Sequence, residues 1–293
     1  MTQTADTSIT LRDGIFVGPI RRSVNNAINS KGSIHDDETA SKLGLRGGTV
    51  AGSVHMDLFG PLLSKAFGDD WLKTGCLSLY FLNATVDREP VRAFVKAPPA
   101  GSGDVSVDVW VEREDGMRVA EGTASIGNPG RLSALMGRPL DRFDPGDLRI
   151  LAGMAVGDAI ETTQVTYTVE QQAARLKVIT EPMDIYLDSK FGGPVVTPSG
   201  YVGLLYSRPV ETLRSKIKGA VGLFGAIEFR NIAGPLIVGR TYNVSGKIIA
   251  LGQSPKTEYF WFDSWADDDA GNRIANHRML LRFMKASSKL YQE

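Results

Sequence analysis

Cysteine is almost missing from this chain. Cys76 is the only one in 293 residues, so no intrachain disulfide can form, and the chain fits a reducing compartment better than a stapled secreted domain. Histidine is also scarce. His35, His55 and His277 are scattered, and with a single cysteine they give no metal-ligand spacing, so no metal is expected. Neither charge is in excess: 33 Lys and Arg balance 33 Asp and Glu. No global field therefore draws in nucleic acid or an anionic membrane. No apolar run approaches the ~20 residues of a membrane-spanning helix. The first residues, Met1 to Ser8, have neither a basic nor an apolar leader region, so the expectation is a cytoplasmic protein without a signal peptide. No Gly-x-Gly-x-x-Gly or phosphate-loop sequence follows a strand, and no cofactor is expected.

What is present is an ordinary globular composition, 42% hydrophobic and 23% charged. The length favours two domains or one duplicated domain. Residues 1–14 read as polar and loose, and 15–28 as extended. Residues 36–43 read as a short helix, with Asp36, Asp37 and Glu38 in its first turn and Gly44 as its stop. Residues 53–67 carry an apolar face at helical spacing, with Ser53 as N-cap and Pro61 as a kink. Strands are predicted over 75–85, 91–97, 104–112 and 117–126, and Glu114-Asp115-Gly116 is the turn between the last two.

The second half repeats the first. Trp110-x-Glu112-x-Glu114-x-Gly116-x-Arg118-x-Ala120 recurs as Trp265-x-Asp267-x-Asp269-x-Gly271-x-Arg273-x-Ala275. Phe81-x-Asn83 recurs as Phe229-x-Asn231, and Val50-Ala51-Gly52-Ser53 as Val196-Thr197-Pro198-Ser199. Three matches in the same order indicate an internal duplication. The expected division is a first domain at 1–130, a linker at 131–160 and a degenerate second copy at 161–293. Each copy reads as a helix followed by a meander of four or five antiparallel strands. A helix wrapped by one curled sheet is the hotdog fold, so the fold class is α+β, a double hotdog. The two sheets can then pair edge to edge and cover each other's exposed strand.

One stretch holds most of the candidate chemistry. It runs from Ile34-His35-Asp36-Asp37 through a glycine-rich turn (Gly44, Gly47, Gly48, Gly52) to Ser53-Val54-His55. Here the chain resembles the MaoC-like hydratase/dehydratase family, specifically its double-hotdog members. Ile34 and His35 match the end of that family's motif, and Asp36, Asp37, Ala40, Gly44, Leu45, Gly47, Val50 and Gly52 follow in step. Ser30 stands where the family has its catalytic aspartate, Gly32 where it has an asparagine, and Ser33 where it has a proline.

The resemblance implies that His35 is the acid/base group in an acyl-thioester cleft. An imidazole titrates near ~6.5 when unperturbed, which suits proton transfer at neutral pH. The competing reading is a polar turn residue at an acidic helix. Asp36 or Asp37 could stand in for the lost carboxylate only if the loop were rearranged. His55 could be the second proton-transfer group or a packed helix histidine. The amides opening the helix at Gly52 and Ser53 suit a developing enolate oxygen, and Gly47 and Gly48 allow close backbone approach.

Ser30, Arg46, Gly48, Gly52, Ser53, Tyr186 and Trp261 are the substrate-binding candidates. Arg46, with Arg21 and Arg22, could meet phosphates of coenzyme A or simply be solvated. Tyr186 takes His35's place in the second half. Trp261, in the run Tyr259-Phe260-Trp261-Phe262, fits either a strand buried on both faces or a pocket for a flat ring. His277 shares a strand face with Ala275, Met279 and Leu281 and reads as a core histidine. The implied activity is a lyase that adds or removes water, or does a related β-elimination or carbon–carbon cleavage, on an acyl-CoA-like or aromatic acid substrate. The alternatives are an acyl-CoA thioesterase and a non-catalytic acyl-binding protein. The expected partner is a small molecule, coenzyme A-linked or not, and homodimer formation is left open.

Overall fold

In the computed structural model, residues 8–101, 103–140 and 145–292 are described. The expectations for the first seven residues and for 141–144 of the linker lie outside them. The first half contains β1 (Thr10–Arg12), β2 (Ile15–Val17) and β3 (Arg21–Arg22), then helices α1 (Asp37–Lys42), α2 (Gly52–Asp57), α3 (Gly60–Phe67) and α4 (Asp70–Thr74). Strands β4 (Cys76–Phe81), β5 (Pro90–Lys96), β6 (Val105–Arg113) and β7 (Arg118–Ile126) follow. The second half contains β8 (Ala159–Thr166), α5 (Val169–Leu176), α6 (Pro198–Val202), a π turn at Gly203–Ser207 and α7 (Arg208–Thr212). It closes with β9 (Gly222–Asn231), β10 (Thr241–Gln253), β11 (Thr257–Asp267) and β12 (Arg273–Met284).

The twelve strands form one antiparallel sheet in the order β1-β2-β5-β6-β7-β4-β9-β12-β11-β10-β8, with β3 also on β5. Only β5-β6-β7 and β10-β11-β12 are true meanders. β4 does not neighbour β5. The chain crosses from β4 to the far side and meanders back, so β4 and β9 become the inner edges. These two edges pair, from Cys76 with Arg230 to Tyr80 with Ala226. Neither half then presents an unpaired central edge.

The pairing also carries the duplication. Matching Phe81 with Phe229 puts the pseudo-twofold at the Leu79–Ile227 pair. Arg118 lies over the Trp110 ring at 4.8 Å, and Arg273 lies over Trp265 at 4.8 Å. The two repeated hairpins thus keep the same cation–π contact.

The predicted single helix at 53–67 is two. α2 ends at Asp57, the chain turns through Leu58 and Phe59, and Pro61 sits in the first turn of α3, where its missing N–H costs nothing. The N-cap of α2 is Ala51, two residues before the predicted Ser53, and it offers no side-chain cap. α1 is as expected: Asp36 caps it by accepting from the Thr39 amide (3.1 Å), and Gly44 follows at φ +77°. The helices cover one sheet face, where Met56, Phe59, Leu63, Leu77, Val109, Ile227, Phe260 and Phe262 form the core. On the opposite face the connecting segment places Leu135 over Ala226, Ala250, Trp261 and Leu280.

Buried polar side chains pin the halves together, among them Asn231, whose Nδ2 donates to Leu72 O (3.0 Å). Arg21 pairs with Glu181. The Asp57 carboxylate accepts from the Ser199 amide at 2.8 Å, in the first turn of α6.

Candidate functional site

The site is built on three backbone segments that clasp one another. The Thr49 amide donates to Ile34 O (2.8 Å), and the Val50 amide donates to Thr85 O (2.9 Å). Thr49 also bridges to Val86. This brings His35, the start of α2 and the Asn83–Thr85 turn to one place. A cavity of about 240 Å³ opens there, bounded by Ile34, His35, Thr49, Gly52, His55 and Phe81. Its other wall is Gly222, Leu223, Phe224 and Gly225 of β9, with Arg282 of β12. The cleft therefore lies where β4 stops and β9 runs on, and both halves line it.

His35 is held at several points. Asn25 Nδ2 donates to its carbonyl (2.8 Å), Ser33 Oγ accepts from its amide (3.1 Å), and its Nδ1 lies 2.7 Å from Thr49 O. A carbonyl oxygen only accepts, so Nδ1 carries the proton in that contact, and in the neutral ring Nε2 has the lone pair. Gly48 makes the arrangement possible. A Cβ there would lie 2.3 Å from His35 O. The room the missing side chain leaves is thus taken by His35's own backbone.

His55 is 2% exposed. Its Nε2 lies 2.8 Å from Thr85 Oγ1, and its Nδ1 has no partner among the described residues. Burial lowers its pKa to about 4, so the ring is neutral at pH 7. Gly52 lines the cavity and leaves room for the Phe81 ring, which a Cβ would approach to 2.9 Å. Ser53 is buried in the first turn of α2 and is outside the cavity lining.

The other candidates lie elsewhere. Ser30 is exposed in the turn before His35. Arg46 makes a two-pronged pair with Glu89 (2.9 and 2.7 Å) at the surface. Trp261 is buried on the far sheet face against Tyr80 and Leu135. Asp36 and Asp37 are committed to the loop. Asp36 accepts from Gly32 and Thr39 amides, and bonds to Thr39 hold it down at about 2. Asp37 accepts from the Gly48 amide at 2.7 Å. Among the described residues, no carboxylate lines the cavity.

Tyr186 shows what became of the second copy. The Val195 amide donates to Ile185 O, and the Val196 amide to Leu236 O, as Thr49 and Val50 do to Ile34 and Thr85. Tyr186 thus stands in His35's place and Tyr201 in His55's. Both are buried. The Tyr201 hydroxyl donates to Asn231 Oδ1 (2.7 Å) and accepts from the Leu236 amide. The Tyr201 and Trp71 rings both pack on Phe229, so aromatic bulk fills this position. The stretch before β9 that corresponds to Trp71 is Lys218-Gly219-Ala220, which carries no aromatic ring. His277 is also buried, with Nδ1 3.1 Å from Ser264 Oγ, inside the sheet's core face.

The sequence reading missed Asn25, Thr49, Thr85 and Arg282. For Arg282 there was a signal, a lone cation inside the apolar run Leu280-Leu281-Arg282-Phe283. For the others there was none, because their roles come from backbone pairing.

No protein-family model matches this sequence, and no curated protein matches it. The fold is similar to solved structures. A Chloroflexus aurantiacus J-10-fl protein assigned to the MaoC domain dehydratases shares 14% identity over 97% of this chain and 99% of its own, with TM-score 0.65. RV0216 of Mycobacterium tuberculosis, a double-hotdog protein, shares 12% identity over 91% and 94%, with TM-score 0.60. A Lactobacillus plantarum protein assigned as an oleoyl thioesterase shares 13% over 94% and 99%, with TM-score 0.51. The chain thus has the double-hotdog fold of the MaoC-like dehydratases, the fold its sequence pointed to. At these identities the likeness is one of fold.

Proposed function

We propose that this chain is a lyase of MaoC-like type, adding or removing water across the carbon–carbon double bond of a small acyl thioester. The observation that carries the reading is the oriented imidazole. His35 Nδ1 is bound to Thr49 O (2.7 Å), so Nε2 is the free base in a cavity that also holds His55. In hydration, Nε2 takes a proton from water as the water oxygen bonds to the β-carbon. The electron pair of the double bond moves to the α-carbon and thioester oxygen. The imidazolium then returns its proton to the α-carbon. One imidazole serves both halves, because the two parts of water add to adjacent atoms.

The Gly52 amide, uncapped by any side chain at the start of α2 and lining the cavity, suits the enolate oxygen. Neutral His55 lines the cavity with its charge suppressed, which suits an uncharged wall behind the water. The first half carries the site, and the second is a degenerate copy that lends β9 and Arg282. The cavity is below the ~300–1,000 Å³ of drug-sized sites, which favours a short acyl group.

A thioesterase is the second reading, supported by the shared fold and by an imidazole able to activate water at the carbonyl carbon. A panel of short enoyl and 3-hydroxyacyl thioesters separates the two. Gain or loss of one water supports the lyase, and free thiol supports the thioesterase. Neither product would leave only ligand binding.

A further inference from the structure

Arg282 has no role in the proton transfers above, yet among the described residues it is the one lysine or arginine side chain lining the cavity. It sits on β12 opposite Leu223 of β9 and Tyr259 of β11. The other arginines of this strand are spent on neighbours: Arg273 on Asp267, and Arg278 on both Asp263 oxygens (2.7 and 2.8 Å). Arg282 differs. Among the described residues its guanidinium has no hydrogen bond and no ion pair, and its Nε is buried. It reaches the cleft across Gly225, where a Cβ would lie 2.8 Å from Nε. Any larger residue there would block that path. Tyr80 and Tyr259 feel its charge, but burial raises both phenols, so they stay neutral and supply no counter-charge. Among the described residues no carboxylate lines the cavity to do so either.

Arg282 as a whole is half-buried, and a guanidinium with no protein partner is free to take an anion that arrives with a ligand. Its planar fork matches two carboxylate oxygens. We infer that Arg282 binds a carboxylate carried on the acyl part of the substrate, so that the cleft selects short acyl groups with an anionic end over those ending in methyl. This rests on the reading of the cleft as an acyl-thioester site.

The test uses two enoyl thioesters of equal length, one ending in methyl and one in carboxylate, with the full chain and the variants R282Q and R282K. The unsubstituted protein is expected to prefer the carboxylate substrate. R282Q should lower kcat/KM for it by roughly a hundredfold and for the methyl substrate far less. R282K, which keeps charge without the fork, should fall between, and melting curves of both variants should stay near that of the parent. Equal kcat/KM for the carboxylate substrate in R282Q and parent would overturn the inference. A second arm needs no turnover: calorimetric titration with glutarate, butyrate and inorganic phosphate. Glutarate binding that R282Q abolishes supports Arg282's role even if no thioester reacts, in which case only the reading of the reaction fails. Binding of phosphate but not glutarate would overturn it, because the cation would then serve a phosphate-bearing handle.

Discussion

Gly48→Ala is a substitution with no new polar group and one added carbon, yet it should disable the cleft. The added Cβ would sit 2.3 Å from His35 O and 3.0 Å from its carbon, against an ordinary contact of 3.4 Å or more. His35 must then retreat by about 1 Å, since Gly48 is itself tied to Asp37 Oδ1 at 2.7 Å. A shift of that size stretches the 2.8 Å bond from Asn25 and the 2.7 Å contact of Nδ1 with Thr49 O beyond hydrogen-bond range. The overpacking costs about 1–3 kcal/mol of stability. The misplaced imidazole costs on the order of a hundredfold in rate. Gly44→Ala is the control. Gly44 has φ +77° with nothing near its missing side chain, so it pays about 1–2 kcal/mol of backbone strain and leaves His35 in place. Steady-state kinetics with a short enoyl thioester, melting curves and the His35 ring signals in NMR distinguish the two variants. A folded Gly48→Ala protein with parental rate and unshifted His35 signals would refute the argument.

Other consequences follow from buried groups. Burial raises Asp57 to about 6, and its Oδ2 has no partner among the described residues. A raised folded pKa means stability fully present below the unfolded value near 4 and lost as pH rises through 6, by roughly 2–3 kcal/mol. Asp57→Asn should remove that slope in denaturation midpoints between pH 4 and 7. His55 is the reverse case. Its folded pKa of about 4 lies below the ordinary 6.5, so its contribution is present above pH 6.5 and lost as pH falls through 4. His55→Gln should flatten the acid limb by roughly 3 kcal/mol in the same assay. Trp71→Ala should cost about 3–5 kcal/mol in chemical denaturation, because Trp71 is 4% exposed and packs on Phe229.

The duplication was legible because repeated hairpins repeat their chemistry. Trp110 with Arg118 and Trp265 with Arg273 keep their spacing in the chain and their 4.8 Å contact in space. The equivalence of Tyr186 with His35 was legible for the same reason. The crossover after β4 was not, since four adjacent strand signals are compatible with a plain meander, and only the pairing of β4 with β9 decides otherwise. The break between α2 and α3 was half legible: Pro61 marked it, but apolar periodicity continues across Leu58 and Phe59. Within the site, His35, His55 and Gly52 could be read from one stretch. Thr49 O, Thr85 Oγ1 and Arg282 could not, because they reach the cleft from 14, 30 and more residues away through backbone pairing. Gly48 was read as an opening toward a ligand, whereas the structure fills that opening with His35's carbonyl.

The central claim is that His35 Nε2 moves a proton at the α-carbon of a thioester. Reversible loss and regain of water in D2O measures this directly. A short 3-hydroxyacyl thioester should gain deuterium at the α-carbon with the parent protein, and show none with His35→Ala, without release of free thiol. Free thiol without deuterium incorporation, or incorporation that survives His35→Ala, would contradict it.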